Sequence, residues 1–175
     1  MTRDVNGVPV ETERKFLIEM PDLSELHQMK ASDISQTYLT GPNGDERIRK
    51  RVYENETVYT HTRKTPISNM SRIELEEEIS EDEYKNLLKN ADPHMATVHK
   101  TRYEIPYNGK CFEVDVYPFE KDRAVMEIEL GSEREEFEVP PFIKIIKEVT
   151  EDEAFSNKSI AKKLKSDPDS QIIPR

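Results

Sequence analysis

Acidic and basic side chains that repeat at every second position are the residues of this sequence with the clearest chemical potential. Near the start, Val-Glu-Thr-Glu-Arg-Lys sets Glu11, Glu13 and Lys15 two residues apart. If this segment is a strand, the three side chains share one face at intervals of about 6–7 Å. Carboxylates spaced in this way suit hard divalent cations such as Mg²⁺ or Mn²⁺, which favour oxygen ligands. The sequence therefore offers a candidate metal-binding row beside a lysine.

The same alternation returns in later segments, and each segment carries charges of one sign. The blocks are the acids Glu113, Asp115, Glu127 and Glu129 and the bases Arg47, Arg49, Arg51, Lys100 and Arg102. Like charges side by side or directly across strands destabilise a sheet unless something neutralises them. Arginine forks match phosphate oxygens, and lysines such as Lys64 add point charges. Bases, acids and a divalent ion together describe a site for phosphoryl transfer, in which positioning and charge neutralisation dominate.

Strands are the elements that must position these rows. We predict them at 9–19, 33–40, 45–53, 57–65, 71–79, 96–107, 110–118 and 122–131. Turn chemistry lies at 41–44 (Gly-Pro-Asn-Gly) and at 108–109 (Asn-Gly), the second a strong hairpin signal. Helices are predicted from 21 with Asp22 as N-cap, over 80–90 with a Ser80–Glu83 capping box, and from 156 at the C-terminus.

Two arrangements of these strands are open. A one-sided antiparallel sheet with solvated charges would explain any single strand. A closed barrel would place all the charged faces around a polar lumen, leave the apolar faces for the helices to cover, and remove the exposed sheet edges. It also accounts for a hydrophobic fraction of only 34% beside 35% charged residues. We therefore favour the closed barrel.

Length, composition and net charge limit the domain organisation, the partners and the location that we expect. The 175 residues suggest a single domain over 1–165 with a flexible C-terminal tail over 166–175. A net charge of -10 argues against nucleic-acid and membrane partners. The single cysteine, Cys111, excludes an internal disulfide, and no signal core or membrane-length apolar run is present. We expect a cytoplasmic protein, a monomer or homodimer, that binds a small polyanion.

In their order along the chain, these blocks resemble the CYTH domain family, the triphosphate tunnel metalloenzymes. Glu11-Thr12-Glu13-Arg14-Lys15 is similar to its ExExK signature, and Ser-Gln-Thr-Tyr-Leu at 35–39 to its second-strand motif. The resemblance continues, from about residue 9 to 165, through Arg47-Ile48-Arg49 (RxR), Lys64, Arg72 to Glu76 (RxExE), Lys100-Thr101-Arg102 (KxR), Glu113 to Asp115, Glu127 to Glu129, and Ser-Asn-Lys-Ser around Lys158.

The resemblance implies an α+β, mostly β fold: a closed eight-stranded antiparallel β-barrel, the triphosphate tunnel, with helices packed outside and a C-terminal helix. It implies that the phosphates are bound by Lys15, Arg47, Arg49, Lys64, Arg72, Lys100, Arg102 and Lys158. One Mg²⁺ or Mn²⁺ would be held by Glu76, Asp115, Glu127 and Glu129, and a second, which activates water, by Glu11 and Glu13. Lys15 and Tyr38 would assist catalysis.

Several substrates fit such a scaffold. The family implies inorganic triphosphatase, thiamine triphosphatase, RNA triphosphatase or class IV adenylate cyclase activity. The absence of Trp leaves no evident aromatic platform for thiamine, and the acidic charge disfavours RNA. We expect metal-dependent hydrolysis of inorganic tripolyphosphate to pyrophosphate and phosphate. A non-catalytic polyphosphate or nucleotide sensor is the alternative from another class.

Overall fold

The computed structural model describes residues 2–3, 6–41, 45–68 and 70–168. These residues form ten strands: β1 (Thr2–Arg3), β2 (Pro9–Glu19), β3 (Lys30–Tyr38), β4 (Glu46–Val52), β5 (Thr57–Pro66), β6 (Ser71–Ile79), β7 (Val98–Tyr107), β8 (Lys110–Val116), β9 (Arg123–Glu129) and β10 (Ile145–Glu148). The α-helices are α1 (Leu23–Leu26), α2 (Glu81–Leu87) and α3 (Asn157–Ser166), with 3₁₀ turns at Leu88–Asn90 and Glu153–Phe155.

Eight of the strands close into an antiparallel barrel, in the order β2-β6-β5-β4-β3-β7-β8-β9. Closure occurs where residues 13–19 of β2 pair with residues 123–129 of β9. The two remaining strands extend β2: β1 pairs with its start, and β10 pairs with Phe16–Ile18. The predicted closed eight-stranded barrel is confirmed, because the ladder returns to the strand from which it began.

The element boundaries differ from the sequence predictions in a few places. The helix predicted from 21 to 30 is a single turn after the N-cap Asp22, because β3 already begins at Lys30. Strands β1 and β10 were not predicted, since two and four residues are too short to show alternation. Residues 42–44 of the turn predicted at 41–44 lie outside the described part of the chain. Residues 169–175 of the expected tail lie outside it as well.

The Asn-Gly hairpin and the capping box have the predicted geometry. Asn108 and Gly109 adopt φ angles of 47° and 73° and join β7 to β8, with Tyr107 opposite Lys110. Two consecutive positive φ values suit the right-handed twist of a two-residue hairpin, and glycine adopts them without steric cost. At α2, the Ser80 hydroxyl accepts a hydrogen bond from the Glu83 amide, and the Glu83 carboxylate accepts one from the Ser80 amide.

Apolar side chains on the outside of the barrel are covered in two places. On β2, β7, β8 and β9, Phe16, Ile105, Phe112 and Met126 pack with Leu26 of α1 and with the non-helical segment 131–144. On the other side, the outer faces of β4 and β5 pack against α2, where Tyr59 and Tyr84 have ring centroids 4.9 Å apart. The charged faces are thereby left to point inward, as the alternation requires.

A third apolar cluster lies inside one end of the barrel. Strand residues Leu17, Tyr38, Val98 and Val125 pack with Tyr117 just after β8, and against Val149, Phe155, Ile160 and Ala161. Leu17 lies two positions after Lys15 on β2, and Val125 lies two positions before Glu127 on β9. Each apolar side chain therefore points to the same inward face as its charged neighbour. Helix α3 thus covers one barrel end instead of packing on the outer wall. None of the described helices is long and apolar enough to cross a membrane.

Truncation of the outer core should destabilise the fold in proportion to burial. Phe112 is fully buried, whereas Phe119, in the loop after β8, is 63% exposed. We expect Phe112→Ala to lower the free energy of unfolding by about 3–5 kcal/mol, because it leaves a cavity. Phe119→Ala, the matched control, should change it by no more than about 0.5 kcal/mol. Urea denaturation measures both, and equal effects would contradict this packing.

Candidate functional site

The barrel encloses a charged cavity of about 910 Å³. Of the fifteen site residues expected from the sequence, thirteen line it: Glu11, Glu13, Lys15, Tyr38, Arg47, Arg49, Lys64, Arg72, Glu76, Arg102, Glu127, Glu129 and Lys158. Lys100 and Asp115 share their strand faces but lie behind this lining, fully buried. The structure therefore brings together residues from seven strands and α3 that are up to about 150 positions apart in sequence.

Strand register explains this convergence. Across the β2–β9 closure, Glu13 lies opposite Glu129 and Lys15 opposite Glu127. On the far wall, Thr62 stands between Arg47 of β4 and Glu76 of β6. Since closely paired positions on neighbouring strands point to the same side of a sheet, each inward row continues into the next. A one-residue slip at any ladder would turn a whole row outward.

The carboxylates at the start of β2 are paired with bases from neighbouring strands. Lys64 Nζ donates to Glu11 Oε2 at 2.8 Å, and Arg72 Nη2 donates to Glu13 Oε1 at 2.8 Å. Lys15 Nζ lies 3.7 Å from Glu127 Oε1. Predicted metal-binding acids and predicted phosphate-binding bases thus pair with one another inside the barrel.

Lys100, Arg102 and Asp115 form the most buried charged group. Lys100 Nζ donates to Asp115 Oδ2 at 2.5 Å, and Arg102 donates from Nε and Nη2 to both carboxylate oxygens at 2.7 and 2.8 Å. Although burial opposes ionisation, the charges of Arg102 and Lys100 lower the pKa of Asp115. Burial lowers the pKa of Lys100 to about 8, and the attraction of Asp115 only partly offsets it. Asp115 therefore holds the guanidinium of Arg102 in a fixed plane.

Arg47 and Arg49 keep unused hydrogen-bonding capacity. Their Nε atoms are buried and have no hydrogen-bond partner among the described residues, although Arg49 Nη2 donates to Gln36 Oε1 at 2.9 Å. Burial, followed by the charges of Arg47 and Arg102, lowers the pKa of Arg49 to about 10. A buried donor without a partner carries a free-energy cost. A multiply charged anion in the lumen would satisfy these donors and separate the repelling cations.

The carboxylates around Glu13 repel one another, as the arginines do on the opposite wall. Burial, and then the charges of Glu127 and Glu11, raise the pKa of Glu13. The described residues contain no preformed group of three or more His, Cys, Asp or Glu side chains arranged to hold a metal ion. The donor set nevertheless fits a hard divalent cation, because it consists of carboxylate oxygens whose mutual repulsion such a cation would relieve.

The other predicted residues occupy more peripheral positions. Tyr38 is buried in the apolar cluster, and its hydroxyl accepts a hydrogen bond from Gln36 Nε2 at 3.0 Å. Glu76 Oε2 accepts one from Thr62 Oγ1 at 3.3 Å. Lys158, in the first turn of α3, places Nζ 3.8 Å from Asp45 Oδ1. Glu129 is solvent-exposed where it lines the cavity.

Sequence reasoning missed Gln36 and the segment before α3. Gln36 connects Arg49 to Tyr38, and its position two residues before Tyr38 on the same strand face was the available signal. Residues 149–153 also line the cavity, but no alternation marks them in the sequence. His61 lies on the outer face of β5, opposite to Lys64, with Nε2 2.6 Å from Glu46 Oε1.

Comparison with known proteins gives a family match. The model of the CYTH domain family matches residues 10–163. No curated protein sequence matched the chain.

Among solved structures, similarity extends over most of the chain. The structure titled "The crystal structure of the inorganic triphosphatase NE1496" shares 30% identity, covers 87% of this chain and 94% of its own, and has a TM-score of 0.50. A second structure of NE1496, titled as a hypothetical protein, shares 30% identity over 87% and 97% of the two chains, with a TM-score of 0.52. The PH1819 protein from Pyrococcus horikoshii OT3 has 22% identity, coverages of 71% and 80%, and a TM-score of 0.53, which supports the fold alone.

The buried lysine should give stability an unusual dependence on pH. Because the pKa of Lys100 falls from 10.5 to about 8, the unfolded chain binds more protons than the native protein between these values. The free energy of unfolding should therefore rise with pH above about 8, by roughly 1–2 kcal/mol up to pH 9.5. Chemical denaturation from pH 7 to 9.5 measures this change.

Two variants isolate the effect. Lys100→Met should remove this rise, whereas Lys162→Met, which alters an exposed lysine of α3, should retain it. An identical slope in Lys100→Met and the wild-type protein would show that Lys100 keeps its proton throughout this range.

Proposed function

The chain belongs to the CYTH domain family, and on that premise we propose that it is a divalent-metal-dependent enzyme that hydrolyses a triphosphate. Inorganic tripolyphosphate, cleaved to pyrophosphate and phosphate, is the proposed substrate. The observation that carries the proposal is the pair of buried Nε atoms of Arg47 and Arg49, which have no hydrogen-bond partner in the described lumen. These donors suit the oxygens of a compact polyanion.

Two further observations support hydrolysis of a small inorganic substrate. NE1496 is named an inorganic triphosphatase, and the match with 30% identity covers 87% of the present chain. Tripolyphosphate also requires nothing of the protein beyond the charged lumen itself. A nucleotide or thiamine ester would need an additional pocket for its organic group, and the chain has no Trp and few aromatic residues with which to build one.

The basic residues of the lumen would bind and orient the phosphates. Arg47 and Arg49 offer planar forks from adjacent inward positions of β4, while Lys15 and Lys64 contribute point charges from β2 and β5. Arg102, held by Asp115, would present its guanidinium in a fixed orientation. The expected phosphate-binding set also includes Arg72, Lys100 and Lys158. Lys100 is buried behind the cavity lining and would contribute its positive charge without direct contact. Such preorganised positive charge is worth most in a site shielded from water.

The carboxylates would hold the divalent cations. Glu11 and Glu13 are proposed to hold one, and Glu76, Asp115, Glu127 and Glu129 the other. A bound Mg²⁺ or Mn²⁺ lowers the pKa of its water and supplies hydroxide near neutral pH. Asp115 is the member of this set with the least free coordination capacity, because both of its oxygens already accept hydrogen bonds.

Binding would proceed by an exchange of partners. Within the lumen, Lys64 is paired with Glu11, and Arg72 with Glu13. If these bases turned to phosphate oxygens, Glu11 and Glu13 would be available to hold a divalent cation. The internal ion pairs partly balance the charges of the lumen, and Gln36, which is bonded to Tyr38, would hold Arg49 in place.

Phosphate release from a substrate panel tests the proposal. Purified protein with Mg²⁺ or Mn²⁺ should release phosphate from tripolyphosphate with a higher kcat/KM than from ATP or thiamine triphosphate, and chelation by EDTA should abolish release. A parallel assay for cyclic AMP covers the cyclase alternative. Preference for thiamine triphosphate or formation of cyclic AMP would overturn the substrate assignment, and tight binding without turnover would indicate a sensor.

Neutralising Glu13 should separate catalysis from binding. Glu13→Gln keeps the shape of the side chain but removes the charge proposed to hold a metal. We expect kcat for tripolyphosphate to fall by a factor of about 10² or more, as when a metal-generated nucleophile is lost. Affinity, measured by calorimetry, should hold or improve, because repulsion between carboxylate and phosphate decreases.

A matched control lies at the other end of the same strand. Glu19 is exposed, and its Oε2 lies 3.7 Å from Lys144 Nζ, outside the lumen. Glu19→Gln should therefore leave both kcat and affinity unchanged. Near-normal turnover in Glu13→Gln would mean that this acid serves only the charge balance of the lumen.

A further inference from the structure

Arg51 is a third arginine on the inward face of β4, beyond the two that match the family motif. It lines the same cavity as Arg47 and Arg49. Its Nη2 atom is buried and has no hydrogen-bond partner among the described residues. The guanidinium therefore keeps a donor available to the lumen, as the two arginines before it do.

The surroundings of Arg51 hold this guanidinium in place without saturating it. Nε donates to Ser32 Oγ at 2.7 Å, and the guanidinium carbon lies 4.9 Å from the centre of the Tyr53 ring. Nη2 lies 3.6 Å from Glu104 Oε1, and the other oxygen of Glu104 lies 3.4 Å from Lys30 Nζ. One carboxylate thus serves two cations, while Glu113, opposite Glu104 across the β7–β8 ladder, is paired with Arg102.

The position of Arg51 extends the arginine row away from the covered end of the barrel. Across the β3–β4 ladder, Arg47 lies opposite Tyr38, Arg49 opposite Gln36 and Arg51 opposite Ile34. Tyr38 belongs to the apolar cluster under α3, so Arg47 is the innermost and Arg51 the outermost of the three. Neighbouring members of the row are about 6–7 Å apart along the strand. A chain of three phosphoryl groups that occupies the first two must be lengthened to reach the third.

We propose that Arg51 binds an additional phosphoryl group, so that the lumen accepts linear inorganic polyphosphates of four phosphates as well as three. This inference rests on the proposed function, since it assumes that a phosphate chain lies along Arg47 and Arg49. Arg51 is then a residue that determines chain-length specificity, and the ion pair with Glu104 orients its guanidinium.

Binding of tripolyphosphate and linear tetrapolyphosphate by the wild-type protein and three variants tests this inference. Calorimetry with EDTA present excludes turnover, and KM values with Mg²⁺ provide a second comparison. In Arg51→Met, affinity for tetrapolyphosphate should fall about tenfold, the effect of one lost charge-assisted hydrogen bond. Affinity for tripolyphosphate should change less than about twofold, within the small effect of a non-contacting substitution.

Control variants separate the effect of Arg51 from that of net charge and folding. Lys50→Met removes one positive charge from the outer face of the same strand and should leave the ratio of the two affinities unchanged. Arg51→Lys should restore part of the tetrapolyphosphate affinity, because it keeps the charge but loses the planar fork. Thermal unfolding of each variant checks that the barrel remains folded.

The outcomes discriminate this inference from the proposed function. An unchanged affinity ratio in Arg51→Met, or equal losses for both chain lengths, would overturn the role of Arg51. Failure of the wild-type protein both to bind tetrapolyphosphate in EDTA and to turn it over with Mg²⁺ would overturn it as well. A selective loss of tetrapolyphosphate binding in a protein that releases no phosphate would support the site for the additional group and contradict hydrolysis.

Discussion

Compensation of buried charge inside the barrel is the constraint on which the rest of the structure depends. Asp115 is fully buried and is stabilised by both Lys100 and Arg102. Glu11 and Glu13 depend in the same way on bases from β5 and β6. A charge removed from water without a partner costs several kcal/mol. The strands must therefore keep their register, because these inward acids are matched to bases on other strands.

Barrel closure is the physical means of maintaining this register. Strand β2 pairs on one side with β9 and on the other with β6 and then β10, so both edges of its inward row are fixed. Outside, two apolar clusters anchor the walls; inside, a third cluster and α3 fill one end. The apolar end excludes water from the charges beside it, which strengthens their electrostatic interactions.

Compensation in the lumen is incomplete in two complementary respects. Arg47 and Arg49 retain buried donors without partners, while Glu13 is crowded by the charges of Glu127 and Glu11. The first feature favours an anion and the second favours a cation. A metal–phosphate complex would supply both at once, even in a chain with a net charge of -10, because local charges outweigh net charge at short range.

The sequence by itself determined which faces of the strands are charged, because the period of two is a local property that needs no partner strand. The rows beginning at Glu11 and at Arg47, the Asn108–Gly109 turn and the α2 capping box could all be read in this way. Only the tertiary structure decided which charges meet. The enclosure of Asp115 by Lys100 and Arg102, the incomplete pairing of Arg51 and the placement of α3 over the barrel end follow from registers between distant segments. Such registers depend on loop closure and on packing across the whole barrel, and no local pattern encodes them.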